Sequence, residues 1–111
     1  MKSVTMLTTI VFSLVSPYLF AKDCVVYDTK ITRIHQYTDG NIFVYFDKIS
    51  DCSCQFPQRM AFHKNDDEKF FVSAALTALT TGKNVSLVGE DTNCPIHGNT
   101  AKMTNLSINA N

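Results

Sequence analysis

The sequence predicts a small, mostly β fold with one helix, and three observations carry that reading. Five stretches rich in β-branched and aromatic residues are separated by turn-forming residues. One further stretch, near 65–81, switches to helical spacing. Four cysteines, Cys24, Cys52, Cys54 and Cys94, punctuate a 111-residue chain that is short enough to gain from covalent cross-links.

Residues 1–21 come first. Lys2 precedes an apolar run through Met6, Leu7, Ile10, Val11, Phe12, Leu14 and Val15, which ends near Pro17 and Ala21. A positive start, an apolar middle and a small residue at the cut describe a secretory signal peptide. Thr8, Thr9, Ser13 and Ser16 dilute the run below the roughly 20 apolar residues that a spanning helix needs. The expectation is cleavage after Ala21, a single domain over 22–111, no membrane insertion, and a secreted or periplasmic product.

The domain then reads in order. Residues 24–37 (CVVYDTKITRIHQY) form a strand, and Asp39-Gly40 is a hairpin turn signal. Residues 41–48 (NIFVYFDK) are apolar on both faces, the mark of a central, well-buried strand. A cysteine-bearing loop leads to a short strand near 58–63. One amphipathic helix follows at about 66–81. Asn65 and Glu68 resemble a capping box, Asp66 and Asp67 suit the positive end of the helix dipole, and Gly82 stands at the stop. Its Phe71/Ala75/Leu79 stripe is expected to close one end of a barrel. Residues 84–89 (NVSLVG) and 101–109 (AKMTNLSIN) are the last strands. In the final one Met103, Leu106 and Ile108 face inward, and their uneven spacing implies a bulge.

The order β-β-β-α-β-β is the plan of an OB-fold, a five-stranded Greek-key barrel. A generic α+β sandwich with the helix on one sheet is the runner-up.

Lysine plus arginine and aspartate plus glutamate each number 10. A near-neutral chain has no field to gather polyanions, and Lys30, Arg33 and Lys48 are offset by Asp28, Asp39 and Asp47, so nucleic acid is not expected as a partner. His35, His63 and His97 lie on different elements, and there is no nucleophile motif or phosphate loop. The reading is therefore non-enzymatic, and no cofactor is implied.

An even number of cysteines in an exported chain implies disulfides. A Cys52–Cys54 ring would be strained. The first choice among the pairings is Cys24–Cys52 with Cys54–Cys94. A metal site from Cys52, Cys54, Cys94 and His97 is an alternative on ligand type, although its spacing is not a recurrent zinc pattern. Redox chemistry at Cys94-Pro95-Ile96-His97 is a third, and lacks a second cysteine.

The succession of a cysteine-bearing first strand, a DG hairpin, a mid-chain cysteine loop, a helix ending in Thr81-Gly82-Lys83, NVSLVG and a late cysteine resembles the B-subunit family of subtilase cytotoxin and its typhoid-toxin and small secreted relatives. More distantly it is similar to the cholera-type enterotoxin B subunits. The resemblance implies an OB-fold that assembles as a homopentamer, binds cell-surface glycans and delivers a separate toxin A subunit. It assigns no site residue. A sugar site needs an aromatic platform with polar neighbours, and the candidates are His35, Gln36, Tyr37, Asp39 and Tyr45, with Phe70 as a candidate oligomer contact. A stand-alone, disulfide-stapled interaction protein is the alternative.

Overall fold

The computed structural model describes residues 23–67 and 70–110. The predicted leader, 1–21, and Glu68 of the predicted capping box lie outside the described residues.

Five strands and one helix make up the fold: β1 (Asp23–Gln36), β2 (Asn41–Phe46), β3 (Arg59–His63), α1 (Phe71–Thr81), β4 (Asn84–Glu90) and β5 (Ala101–Ile108). The strands form one sheet that closes on itself in the order β1-β2-β3-β5-β4. All pairs are antiparallel except β3 with β5, which meet in parallel at Met60–Ala101 and Ala61–Lys102.

Closure depends on β1. Its first half pairs with β4, from Asp23–Glu90 to Lys30–Asn84, and its second half pairs with β2, from Ile31–Phe46 to Gln36–Ile42. Two irregularities bend the strand between these partners. One lies between Val26 and Thr29, where Asp28 takes a positive φ of 50° and its N–H donates to the Ser86 hydroxyl. The other lies between Ile31 and Arg33. Extra residues of this kind sharpen the twist that a small barrel requires. The bulge expected in β5 is present: Val88 faces Asn105 and Gly89 faces Met103, which leaves Thr104 unpaired.

The interior follows from alternation along the strands. Ile42, Val44 and Phe46 of β2, Met60 and Phe62 of β3, Val85 and Leu87 of β4, and Met103 and Leu106 of β5 fill it. Ile108 is exposed at the strand end, contrary to the inward position expected of it. Gly89 is required for close packing, since a Cβ there would stand 2.9 Å from Met60 Sδ and 3.1 Å from the Lys102 carbonyl oxygen.

The helix needs two corrections. It begins at Phe71, and a separate 3-10 turn occupies Lys64–Asp66. The helix is capped by Asp67, whose carboxylate accepts the Phe71 N–H (2.5 Å) and the Val72 N–H (3.2 Å), while Asn65 belongs to the preceding turn. Its buried residues are Ala74, Ala75 and Ala78, with Phe71 and Val72 half-buried against the core. Leu79, expected in the buried stripe, is exposed, as is Leu76. Small alanine side chains let the helix lie close to β1 and β5, which turns the leucines outward. Gly82 ends the helix in the left-handed conformation, φ 72°.

Two disulfides join Cys24 to Cys52 and Cys54 to Cys94. The first is buried beside the core, and the second ties the 47–58 loop to the 91–100 loop. Disulfides of this kind fit an oxidising compartment. Among the described residues no helix is long and apolar enough to cross a membrane.

Candidate functional site

Strand β2 is apolar on both faces, as expected, because its outer face is covered too. Phe43, Ala61 and Ile96 form a second small cluster outside the barrel, with Tyr45 packed against it. The register explains the arrangement. Arg33 of β1, Tyr45 of β2 and Arg59 of β3 are cross-strand partners in one row. His35, Phe43 and Ala61 form the next row. The β1–β2 turn (37–40) and the β4–β5 loop (91–100) border this face.

Phe43 is 0 % exposed although it points away from the barrel. The Tyr37 ring stands 5.0 Å from it, the His97 ring 5.1 Å, and the Arg59 guanidinium 4.5 Å. Arg59 is itself buried and takes most of its contacts from neutral groups. Its Nε donates to the Thr100 hydroxyl (2.9 Å), Nη1 to the Tyr45 hydroxyl (2.9 Å) and Nη2 to the Asn99 side-chain oxygen (3.1 Å). The guanidinium also faces the rings of Phe56 (4.2 Å) and Tyr45 (5.6 Å). One side chain thus locks β2, β3 and two loops together.

Of the five ligand candidates, four are brought to this region. Tyr37 is exposed and carries ring contacts to His35 (4.5 Å) and His97 (5.4 Å). Tyr45 is half-buried, with Arg33 4.9 Å above its ring. Asp39 accepts the backbone N–H (2.9 Å) and the side-chain amide (3.1 Å) of Asn41, and pairs with His97 Nε2 at 2.8 Å. Those contacts hold its carboxyl below the usual carboxylate range, the Asn41 N–H contributing most and His97 next. Gln36 shares the register of Ile42, which lies in the core, and so sits on the opposite face by alternation. Asp47 is also lowered, by the Thr29 hydroxyl and the Lys30 N–H, and it lies away from this face.

The metal alternative is corrected. Cys52, Cys54 and Cys94 are bonded to other sulfurs and cannot act as thiolate ligands, and His97 is bound to Asp39. Among the described residues no group of three or more His, Cys, Asp or Glu is placed to hold a metal ion.

The sequence reading did not pick out Arg59, Phe56, Asn99 and Thr100, and it placed His97 with the cysteines or among three scattered histidines, not at the ligand face. Arg59 carries no local signal, because its hydrogen-bond partners lie 14 to 41 residues away. Arg33 and His35 alternate on one face of β1, and Tyr37 follows in the same period just past the strand end. The arrangement offers stacking on an exposed tyrosine and hydrogen bonding by arginine, histidine and carboxylate. Compared with protein-family models, with curated proteins and with solved structures, the chain finds no significant match.

Proposed function

We propose that this chain is a secreted, non-enzymatic binding module on an OB-fold, and that it recognises cell-surface glycans through the outer face of β1, β2 and β3. The observation that carries the reading is the gathering of Arg33, His35, Tyr37, Asp39 and His97 on that face, between the β1–β2 turn and the β4–β5 loop. Folds of this plan bind oligosaccharides or oligonucleotides through the same strands and the same two loops. The strand order, the parallel β3–β5 pair and a helix between β3 and β4 support the OB assignment. Sugar is favoured over nucleic acid by the equal number of basic and acidic residues and by the offset of Lys30, Arg33 and Lys48 by Asp28, Asp39 and Asp47.

The test is a glycan array on the oxidised protein, followed by titration of the best glycan against a Tyr37→Ala variant. Stacking on Tyr37 predicts at least about tenfold weaker binding with an unchanged fold. Equal affinity for the variant, or no glycan retained, overturns the reading.

A second reading, an interaction or assembling subunit, is favoured by the apolar side chains that α1 leaves uncovered. Phe70 is 55 % exposed and Leu76 is 47 % exposed. On that reading the toxin-B-like resemblance extends to a homopentamer and an A subunit. Light scattering during size-exclusion chromatography reads the mass directly. A mass near five times the monomer that falls to one on Phe70→Glu supports a ring held through this helix, and a monomer in the native protein removes it.

A further inference from the structure

The three histidines of the chain come from β1, the end of β3 and the β4–β5 loop, yet all contact the β1–β2 turn. His35 packs its ring on Tyr37 at 4.5 Å. His63 Nε2 donates to the Asp39 carbonyl oxygen at 3.0 Å, and His97 Nε2 meets the Asp39 carboxylate at 2.8 Å. The turn is therefore held by two imidazoles, one on its backbone and one on its side chain. Gly40 makes room for the first, since a Cβ there would stand 2.6 Å from His63 Nε2.

A proton leaves both anchors in place, but it has opposite effects at the Nδ1 cap of His63 and at the His97–Asp39 pair. His63 Nδ1 accepts the Asn65 N–H at 3.1 Å and so caps the Lys64–Asp66 turn. That bond needs a lone pair on Nδ1, which places the single proton of neutral His63 on Nε2. A second proton occupies the lone pair and sets N–H against N–H. The groups around this ring are the Asp39 carbonyl from the β1–β2 turn, with Lys64 and Asp66 in the turn that follows. His97 has the reverse situation. A proton on it adds charge directly opposite the Asp39 carboxylate, with Tyr37 and Phe43 as its other neighbours. On β1, His35 Nδ1 lies 3.4 Å from Arg33 Nη2, a like-charge contact once His35 is protonated.

We propose that His63 is a proton-operated clasp between the β1–β2 turn and the Lys64–Asp66 turn, in which acidification releases its cap of the Lys64–Asp66 turn while its Nε2 bond to the Asp39 carbonyl and the His97–Asp39 anchor hold. Imidazole is the side chain whose charge changes between neutral and mildly acidic conditions. Tyr37 rides on the β1–β2 turn, and its surroundings change as the neighbouring imidazoles gain charge. The clasp stands whatever the face binds.

The experiment is an NMR titration of the oxidised, isotope-labelled protein from about pH 7.5 to about pH 5, following the histidine rings and the backbone amides together. The Asn65 amide should shift in step with the His63 ring. Its hydrogen exchange, corrected for the intrinsic effect of pH, should become about fivefold faster, the loss of one capping bond. The Asn41 amide, bound to the Asp39 carboxylate, should keep its protection through that step. In a His63→Gln variant the Asn65 transition should vanish. An Asn65 amide that stays still while His63 titrates overturns the proposal, and so does an Asn41 amide that loses protection at the same step. The native protein alone decides the matter if the variant does not fold.

Discussion

Arg59 Nη1 lies 2.9 Å from the Tyr45 hydroxyl, and the same guanidinium is buried against the rings of Phe43, Tyr45 and Phe56. No carboxylate of the described residues pairs with it. Aromatic faces and neutral oxygens hold this cation in place of a counter-ion. Truncation to Arg59→Ala strands Thr100 and Tyr45 and opens a void, at a cost of about 2–4 kcal/mol. Arg59→Lys keeps the charge and loses the planar fork, so its cost should fall between alanine and the native residue. Urea denaturation of the three proteins measures the order. A lysine variant as stable as the native protein would show that the fork geometry is immaterial.

The two disulfides differ in exposure. Cys24 and Cys52 are buried, whereas Cys54 and Cys94 are half-buried in loops. A mild reductant should open Cys54–Cys94 first, and alkylation followed by peptide mass analysis identifies which pair is labelled. Replacing both Cys54 and Cys94 by serine should lower stability by about 2–4 kcal/mol. The same change should raise exchange in the 91–100 loop that covers Phe43.

Asp39 gives a dependence on acid. Its carboxyl is lowered from an ordinary value of 3.8, first by the Asn41 N–H and then by His97. A depressed folded value stabilises the fold above the unfolded value and loses that contribution as pH falls through the folded one. Native protein should therefore lose stability more steeply than Asp39→Asn below about pH 4. Thermal melts across that range compare the slopes, and parallel curves would rule Asp39 out as a contributor.

Among the described residues, Asp67 is the side chain that caps the start of the helix. Its carboxylate takes the N–H groups of Phe71 and Val72, and the Phe70 cap position supplies no side-chain bond. Asp67→Ala should cost about 1–2 kcal/mol, with faster amide exchange in the first turn of α1. Asp66→Ala should cost much less, since its contact, 4.0 Å to Lys102, is an exposed ion pair.

What the sequence could and could not disclose follows from the range of each interaction. Gly82 as the helix stop and the two-sided burial of β2 were legible, because both depend on neighbours within a few residues. Asp66, Asp67 and Glu68 gave three adjacent acids for one cap, and only the intervening 3-10 turn selects Asp67. The choice of Ala74 and Ala78 over Leu79 as the packed side of α1 depends on how closely the helix approaches β1. The three histidines read as scattered because their meeting point exists only after the barrel has closed.

The pairing of β1 with both β2 and β4 also imposes an order in time. Its contacts with β2 form within the first hairpin, but Asp23 waits for Glu90 and Met60 waits for Ala101. Contacts so distant along the chain are entropically late and slow to form. A chain emerging amino-terminus first therefore holds a β1–β2–β3 meander with Cys24 and Cys52 both present well before Cys94 appears. During that interval Cys54 has no native partner, and the thiol most exposed to mispairing is the one beside the bridge that forms first.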